Sequence, residues 1–113
     1  MPGDGRRAGR VSARSLARRE IQAVRGGRPL KTRRVIVYLA PAAGDPGFAV
    51  IAGRRVGGAV VRNRARRVLR EAWRALAPRL AEEYRAVLVA RPEIRGAKTG
   101  QVEGEIAEAV GEA

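Results

Sequence analysis

Hydrophobic and polar residues alternate with helical spacing in parts of the chain and form short apolar runs elsewhere. Apolar residues about 3.6 positions apart predict amphipathic helices, and apolar runs between turn residues predict buried strands. The pattern predicts a short helix, two strands, a long helix, a third strand and a weak terminal helix, over 15–25, 33–40, 48–53, 59–77, 86–90 and 101–110. The turn-rich segment 41–47 favours pairing of the first two strands as a hairpin. A further strand around 28–32 is possible, but no pattern supports it.

This order of elements predicts an α+β layer, with helices packed on a small sheet, rather than a doubly wound sheet. Residues 1–13 are rich in Gly, Pro and Arg without periodicity and predict a flexible basic arm. The remaining residues, 14–113, predict a single domain. Since no apolar run is long enough for a membrane span and the N-terminus lacks an apolar signal region, we expect a cytoplasmic protein.

Charge divides the chain into two unequal parts. The 113 residues carry 24 Lys+Arg and 11 Asp+Glu, for a net charge of +13. Residues 1–81 hold 20 of these cations and four anions, whereas residues 82–113 hold four cations and seven anions. A GC-rich genome would explain Arg in place of Lys, but it would not explain this asymmetry. The charge favours a nucleic acid partner, and an acidic membrane surface or acidic protein is the alternative.

The absence of Cys and His excludes several kinds of chemistry. Without Cys there is no disulfide, thiolate metal site or cysteine nucleophile, and without His there is no Ser-His triad and no zinc site of the usual kind.

The long helix separates apolar and cationic residues on two sides. Its apolar arc comprises Val61, Ala65, Val68, Leu69, Ala72, Trp73 and Leu76. The opposite side comprises Asn63, Arg66, Arg67, Arg70 and Arg74, with Arg62 and Arg64 on its borders. Like charges one turn apart repel each other by a few tenths of a kcal/mol per pair. A phosphate backbone would relieve this repulsion, so the row favours a nucleic acid interface over a merely solvated face.

Two neighbouring features leave alternatives open. Asn63 is the only Asn in the chain, and it is either a neutral surface residue or an amide that contacts phosphate, base or ribose hydroxyl. Before the helix, Arg54 and Arg55 precede Gly57 and Gly58. These glycines either form a simple tight turn or allow a phosphate to approach the helix N-terminus.

The segment 54–74, RRVGGAVVRNRARRVLREAWR, resembles the signature of the bacterial ribonuclease P protein component. The triplet 62–64 matches the family's R-N-R block, and Arg66, Arg67 and Arg70 match the cations after it. Segments 16–20, 37–38 and 89–92 are similar to the family's first helix, first long strand and strand end, so the resemblance covers 16–110. This chain departs from the pattern at Ile21 (usually Phe), Gly53 (usually Ser) and Gly58 (usually Asn), and its turn after Val24 is one residue short.

The resemblance implies a sheet of about four strands, a short N-terminal helix, a long basic central helix in a left-handed βαβ crossover, and a C-terminal helix. It implies the protein subunit of a ribonucleoprotein that removes the 5′ leader from precursor tRNA. The RNA subunit would perform the hydrolysis with Mg²⁺, so we expect no catalytic residue and no metal ligand in this chain.

The same resemblance implies two RNA-binding sites. Contacts to the catalytic RNA fall to Arg54, Arg55, Arg62, Asn63, Arg64, Arg66, Arg67 and Arg70. A cleft between the first helix and the sheet would bind the leader and be lined by Tyr38, Ile21 and Arg18. Trp73 is expected in the core, and for Phe48 a core position is favoured over one in this cleft. The expected partners are the catalytic RNA and precursor tRNA, with no membrane and a monomeric free protein. A ribosomal or RNA-chaperone protein and a DNA-binding regulator are the rival functions.

Overall fold

The computed structural model describes residues 14–112, so the predicted basic arm lies outside the described residues. In chain order the helices and strands are α1 (Arg18–Arg25), β1 (Pro29–Lys31), β2 (Val35–Pro41), β3 (Gly47–Ile51), α2 (Ala59–Leu76), β4 (Tyr84–Ala90) and α3 (Thr99–Glu112). Short 3-10 turns span Arg54–Val56, Ala77–Arg79 and Pro92–Ile94. The α+β class is confirmed, and the segment that had no supporting pattern forms the short strand β1.

The four strands form one mixed sheet in the order β1-β2-β4-β3. Strand β2 is antiparallel to β1 and β4, whereas β3 is parallel to β4. The predicted hairpin of β2 and β3 is therefore wrong, because β4 lies between them. Strand β4 buries Val87 on one face and Ala86 and Leu88 on the other, and a strand that is apolar on both faces is stable only inside a sheet.

Strands β3 and β4 are joined through α2, which makes this segment a βαβ crossover. The central basic helix thus occupies the crossover position that the resemblance implied. The hand of the crossover stays a prediction.

Helices α2 and α3 cover one face of the sheet and enclose the main core. Val35 and Val37 of β2 and Leu88 of β4 contribute to it from the sheet, together with Phe48 of β3. Trp73 is 2% exposed and Phe48 5%, so their expected core positions are confirmed. The C-terminal helix contributes its predicted apolar row, Val102, Ile106 and Val110, all of which are buried.

One residue of the predicted apolar arc is an exception. Ala65, Val68, Leu69, Ala72, Trp73 and Leu76 are buried, but Val61 is 36% exposed. Val61 lies in the first turn of α2, and the neighbouring Val60 is 83% exposed. The apolar side of α2 is therefore longer than the core that it covers.

Helix α1 packs on the opposite face of the sheet and covers only part of it. Leu16, Val24 and Val87 form a small second cluster there, with Ile21 and Tyr38 partly buried against it. Ile51 and Val89 lie on the same face and also stay partly exposed. This arrangement leaves an apolar strip of sheet beside α1, which we call the sheet cleft and define by Ile21, Tyr38, Ile51 and Val89.

A four-residue charge network fixes the chain where it enters the domain. Arg14 donates to Glu20 at 2.9 Å and lies 3.1 Å from an Asp45 oxygen, and Arg85 lies 3.6 Å from Glu20. The Arg14 hydrogen bond lowers the pKa of Glu20 from 4.5 to about 2, assisted by the Ala17 N–H. The segment also joins the edge of β3, because the Leu16 N–H donates to the Phe48 carbonyl at 3.1 Å.

Candidate RNA-binding surfaces

Six polar residues of α2 form a continuous surface that we call the basic stripe: Arg62, Asn63, Arg64, Arg66, Arg67 and Arg70. Together with Val60, five of them, Asn63, Arg64, Arg66, Arg67 and Arg70, line a shallow groove along the helix. Asn63, Arg64 and Arg67 are exposed, whereas Arg62, Arg66 and Arg70 are half-buried. The structure therefore brings five of the six helical residues that the sequence assigned to catalytic RNA into one groove, and Arg62 lies one helical turn before Arg66.

Several side chains of the stripe are held in place from within the protein. The Arg66 guanidinium donates to the Asn63 side-chain oxygen and to the Ala52 carbonyl, the latter at 3.4 Å. Arg64 donates to the Ala97 carbonyl at 3.3 Å. Asn63 thus positions Arg66 with its oxygen and keeps its NH₂ group as a donor. The Nε of Arg62 is buried and has no partner among the described residues.

The salt bridges of the described residues join carboxylates to cations outside the stripe. Glu103 pairs with Arg79, and Glu105 pairs with Arg34. Glu71, which lies on α2 between Arg67 and Arg74, accepts a hydrogen bond from Thr99 of α3 at 3.1 Å. Within residues 14–111, the salt bridges that form leave the stripe cations without a carboxylate partner. Their positive field is therefore available to an external anion.

Arg54 and Arg55 lie in the 3-10 turn between β3 and α2, and both are exposed. Buried Val56 anchors this turn in the core. Gly57 adopts a φ of 152°, and a Cβ there would lie 2.9 Å from the Val61 side chain, so this position requires glycine. Gly58 is the N-cap of α2 and offers no side-chain hydrogen bond, which leaves the first N–H groups of the helix without a side-chain cap.

The residues predicted for the leader lie on the α1 side of the sheet. Tyr38 is a partly buried residue of β2, and Ile21 packs in the same cluster from α1. Arg18 is the exposed first residue of α1 and lies one turn before Ile21, on the same side of the helix. The structure thus brings Ile21 and Tyr38 together and places Arg18 at the start of α1.

Sequence reasoning missed Arg25. Its guanidinium carbon lies 5.6 Å from the centre of the Tyr38 ring, within the range of a cation–π contact. The signal was available, because Arg25 lies four residues after Ile21 and therefore on the same side of α1. Arg25 gives the sheet cleft a cation next to its aromatic ring.

The basic stripe and the sheet cleft meet at the end of β3. Ile51, the last residue of that strand, belongs to the cleft, and the carbonyl of the next residue, Ala52, accepts a hydrogen bond from Arg66 of the stripe. The exposed pair Arg54 and Arg55 follows immediately. A polyanion on the stripe and a single strand in the cleft would therefore be neighbours.

The described residues do not bring three acidic side chains together as a metal cage would require. The donor set of the described residues does not fit a divalent cation. None of the helices in residues 14–112 is long and apolar enough to cross a membrane.

The protein has a mixed four-stranded sheet with a partly open face and a long helix whose stripe cations pair with no carboxylate of residues 14–111. These features define a small basic α+β protein suited to phosphate. Comparison with known proteins is more specific, since the family model "Ribonuclease P" matches residues 11–113. The chain belongs to this family, and the resemblance found in the sequence is confirmed.

Individual relatives agree with the family match. The ribonuclease P protein component of Symbiobacterium thermophilum is 51% identical over 69 residues, which span 58% of this chain and 58% of the relative. That of Chloroflexus aggregans is 39% identical over 105 residues, spanning 89% of this chain and 74% of the relative. The match therefore spans less than two thirds of the first relative's length. The solved RNase P protein from Thermotoga maritima has the same fold, with a TM-score of 0.74 at 18% identity over 88% of this chain and 96% of that one.

Proposed function

We propose that this chain is the protein subunit of ribonuclease P and assists endonucleolytic removal of the 5′ leader from precursor tRNA. The catalytic RNA binds the basic stripe together with Arg54 and Arg55. The leader binds the sheet cleft. The observation that carries the proposal is the row of stripe cations, which pair with none of the carboxylates in residues 14–111.

The stripe suits a folded RNA because its donors are partly preorganised. Arg66 is oriented by Asn63 and Ala52, and Arg64 by Ala97. Arginine presents a planar fork of N–H donors that matches phosphate oxygens in two-point hydrogen bonding. Binding would release counterions from the RNA and remove the mutual repulsion of the arginines.

The sheet cleft suits a single strand because it combines an aromatic ring, apolar side chains and a cation. A leader base would stack on the exposed part of Tyr38, with Ile21 and Val89 beside it. Arg25, next to the ring, and Arg18 would contact leader phosphates. Base–aromatic stacking contributes about 1–3 kcal/mol, so the cleft distinguishes precursor from mature tRNA, which lacks the leader.

Chemistry in this assembly belongs to Mg²⁺ and the RNA subunit. The protein neutralises phosphates where RNA and leader approach each other at the end of β3. Neutralisation lowers the repulsion that Mg²⁺ would otherwise have to screen, so productive complexes form at lower Mg²⁺ concentration.

The test is cleavage of precursor tRNA by the cognate catalytic RNA at limiting Mg²⁺, with and without the full chain. We expect the chain to increase cleavage at low Mg²⁺ and to have little effect at high Mg²⁺. No increase at any Mg²⁺ concentration, with ribosomal RNA as the RNA that co-purifies with the chain, would favour a ribosomal protein instead.

Tyr38→Ala tests the cleft separately. Loss of a stacked base should weaken precursor tRNA binding to the assembled enzyme by about 5- to 150-fold and leave mature tRNA binding unchanged. Phe is the matched control, because Tyr38→Phe keeps the ring. Equal losses for precursor and mature tRNA would remove Tyr38 from the leader site.

A further inference from the structure

Val60 and Val61 are apolar side chains on the surface at the first turn of α2. Val60 is 83% exposed and Val61 36%. A single exposed valine is ordinary on a protein surface. These two lie beside the most basic surface of the molecule, and Val60 lines the same groove as Asn63 and Arg67. Binding of phosphate by the neighbouring arginines does not require two exposed apolar side chains at this position.

The two valines form one side of a concave site between α2 and the segment 94–96. Buried Ala65 and Ile94 line it as well, and Arg64 and Arg95 lie at its rim. Its volume is about 390 Å³, and sites that hold small organic groups begin at about 300 Å³. We call it the valine depression.

The valine depression is already formed in the protein alone. On one side Arg64 is held by the Ala97 carbonyl at 3.3 Å. On the other side, the Ala97 N–H donates to the Ile94 carbonyl at 3.0 Å and closes the loop that contains Gly96. Gly57 packs close to Val61, where a Cβ would come within 2.9 Å. A ligand would therefore bind without reorganising the site, which favours affinity.

We propose that the valine depression receives an unpaired nucleobase of the catalytic RNA. This inference rests on the proposed function and adds to it a contact that is not electrostatic. Val60 and Val61 would contact the flat apolar face of the base, while Arg64 and Arg95 would contact the phosphates on either side of it. Folded RNAs expose such bases in loops and bulges, and proteins bind them through apolar or aromatic surfaces flanked by cations.

Charge favours RNA over a second copy of this chain. The depression is continuous with the basic stripe through Val60 and Arg64, which line both the depression and the groove of the stripe. Two copies meeting at this surface would bring their unpaired arginines together. A polyanion meets the same surface with opposite charge.

The experiment is Val60→Thr in the full chain, with binding to the cognate catalytic RNA, transcribed in vitro, measured across a range of salt concentrations. Threonine keeps the branched shape and replaces one methyl group by hydroxyl at an exposed position, so folding is unaffected. We expect about three- to tenfold weaker binding at every salt concentration, which is the scale of one lost apolar group. The slope of log affinity against log salt should stay the same, because no phosphate contact is lost.

Ala75→Thr is the matched control, since Ala75 is an exposed position on the same helix outside the depression. It should bind as the wild type does. Chemical probing with dimethyl sulfate gives a second readout. One unpaired base of the RNA should be protected by the wild type and by Ala75→Thr, and should lose protection with Val60→Thr.

Three results would overturn the inference. The first is wild-type affinity and protection with Val60→Thr. The second is a changed salt slope, which would make the effect electrostatic. The third is self-association of the wild type that Val60→Thr abolishes, which would assign the valines to a second copy of the chain. If the wild type itself fails to bind the RNA, the proposed function fails as well. If the wild type binds and Val60→Thr binds equally well, only the proposed nucleobase site in the valine depression is refuted.

Discussion

Neutralising the basic stripe should change how RNA binding depends on salt, and not only how tight it is. The variant replaces four cations by Gln: Arg62, Arg66, Arg67 and Arg70. Each phosphate contact contributes about 0.7–0.9 to the slope of log affinity against log salt. If each of the four side chains contacts one phosphate, the slope should fall by about 3 in magnitude. A tenfold rise in salt would then weaken the wild type about 1000-fold more than the variant.

The structure supports a change near this full size. The stripe cations form no salt bridge with the carboxylates of residues 14–111, so they need not give up a carboxylate partner to bind phosphate. Glutamine keeps an N–H donor but is two bonds shorter than arginine, so the 3.4 Å donation from Arg66 to the Ala52 carbonyl is lost. Because the substitutions also remove like-charge repulsion along α2, we expect unchanged thermal stability.

The assay is filter binding or fluorescence titration of the cognate catalytic RNA over a tenfold range of salt. A control variant with the same loss of charge replaces four exposed cations outside both surfaces by Gln: Arg19, Arg28, Lys31 and Arg33. Its slope should stay close to that of the wild type. Equal slopes for the wild type and the stripe variant, or equal shifts in the stripe and control variants, would refute the assignment of the stripe to RNA.

Three further predictions concern stability, each measured by urea denaturation. Gly57→Ala should destabilise the protein by about 1–3 kcal/mol, because it combines a strained φ with a clash against Val61; wild-type stability would contradict this. Gly58→Asn should stabilise it by a few tenths of a kcal/mol, because the amide can cap α2; a loss would show that the cap does not form. Glu20→Gln should destabilise the protein at neutral pH, because the Glu20 pKa lies below its ordinary value and its ion pairs stabilise only the charged form. The difference from wild type should close as pH falls from 4.5 to about 2; a constant difference would contradict the role of its charge.

The stripe was predictable from sequence because a helix is a local structure. Residues at i, i+3 and i+4 lie on one side of any α-helix whatever surrounds it, so Arg66, Arg67 and Arg70 were placed correctly without tertiary information. Val61 was misplaced because periodicity does not show where the core beneath the helix ends. Its side of α2 is apolar, but the first turn extends beyond the sheet and exposes it.

The order of the strands was not predictable in the same way. The turn-rich segment between β2 and β3 favoured a local hairpin, and the decisive information lay more than 30 residues later, in the apolar segment 86–90. That segment is buried on both faces and so takes the inner position. Strand β1, which the sequence allowed around 28–32, has no supporting pattern for a different reason, since its three residues contribute only one partly buried side chain, Leu30. The cation–π contact of Arg25 depends on how α1 sits on the sheet, which no local pattern specifies.

The inner position of β4 has a consequence during synthesis. Strands β2 and β3 are both bonded to β4 and not to each other, so a nascent chain that ends before residue 84 has no strand to join them. The arginines of α2 leave the ribosome before β4, the strand that completes the sheet beneath them, has been synthesised. Until then they form a cationic segment in a cell rich in ribosomal and messenger RNA, where binding without sequence preference competes with folding. The chain can therefore bind RNA selectively only after β4 has been synthesised and has joined the sheet.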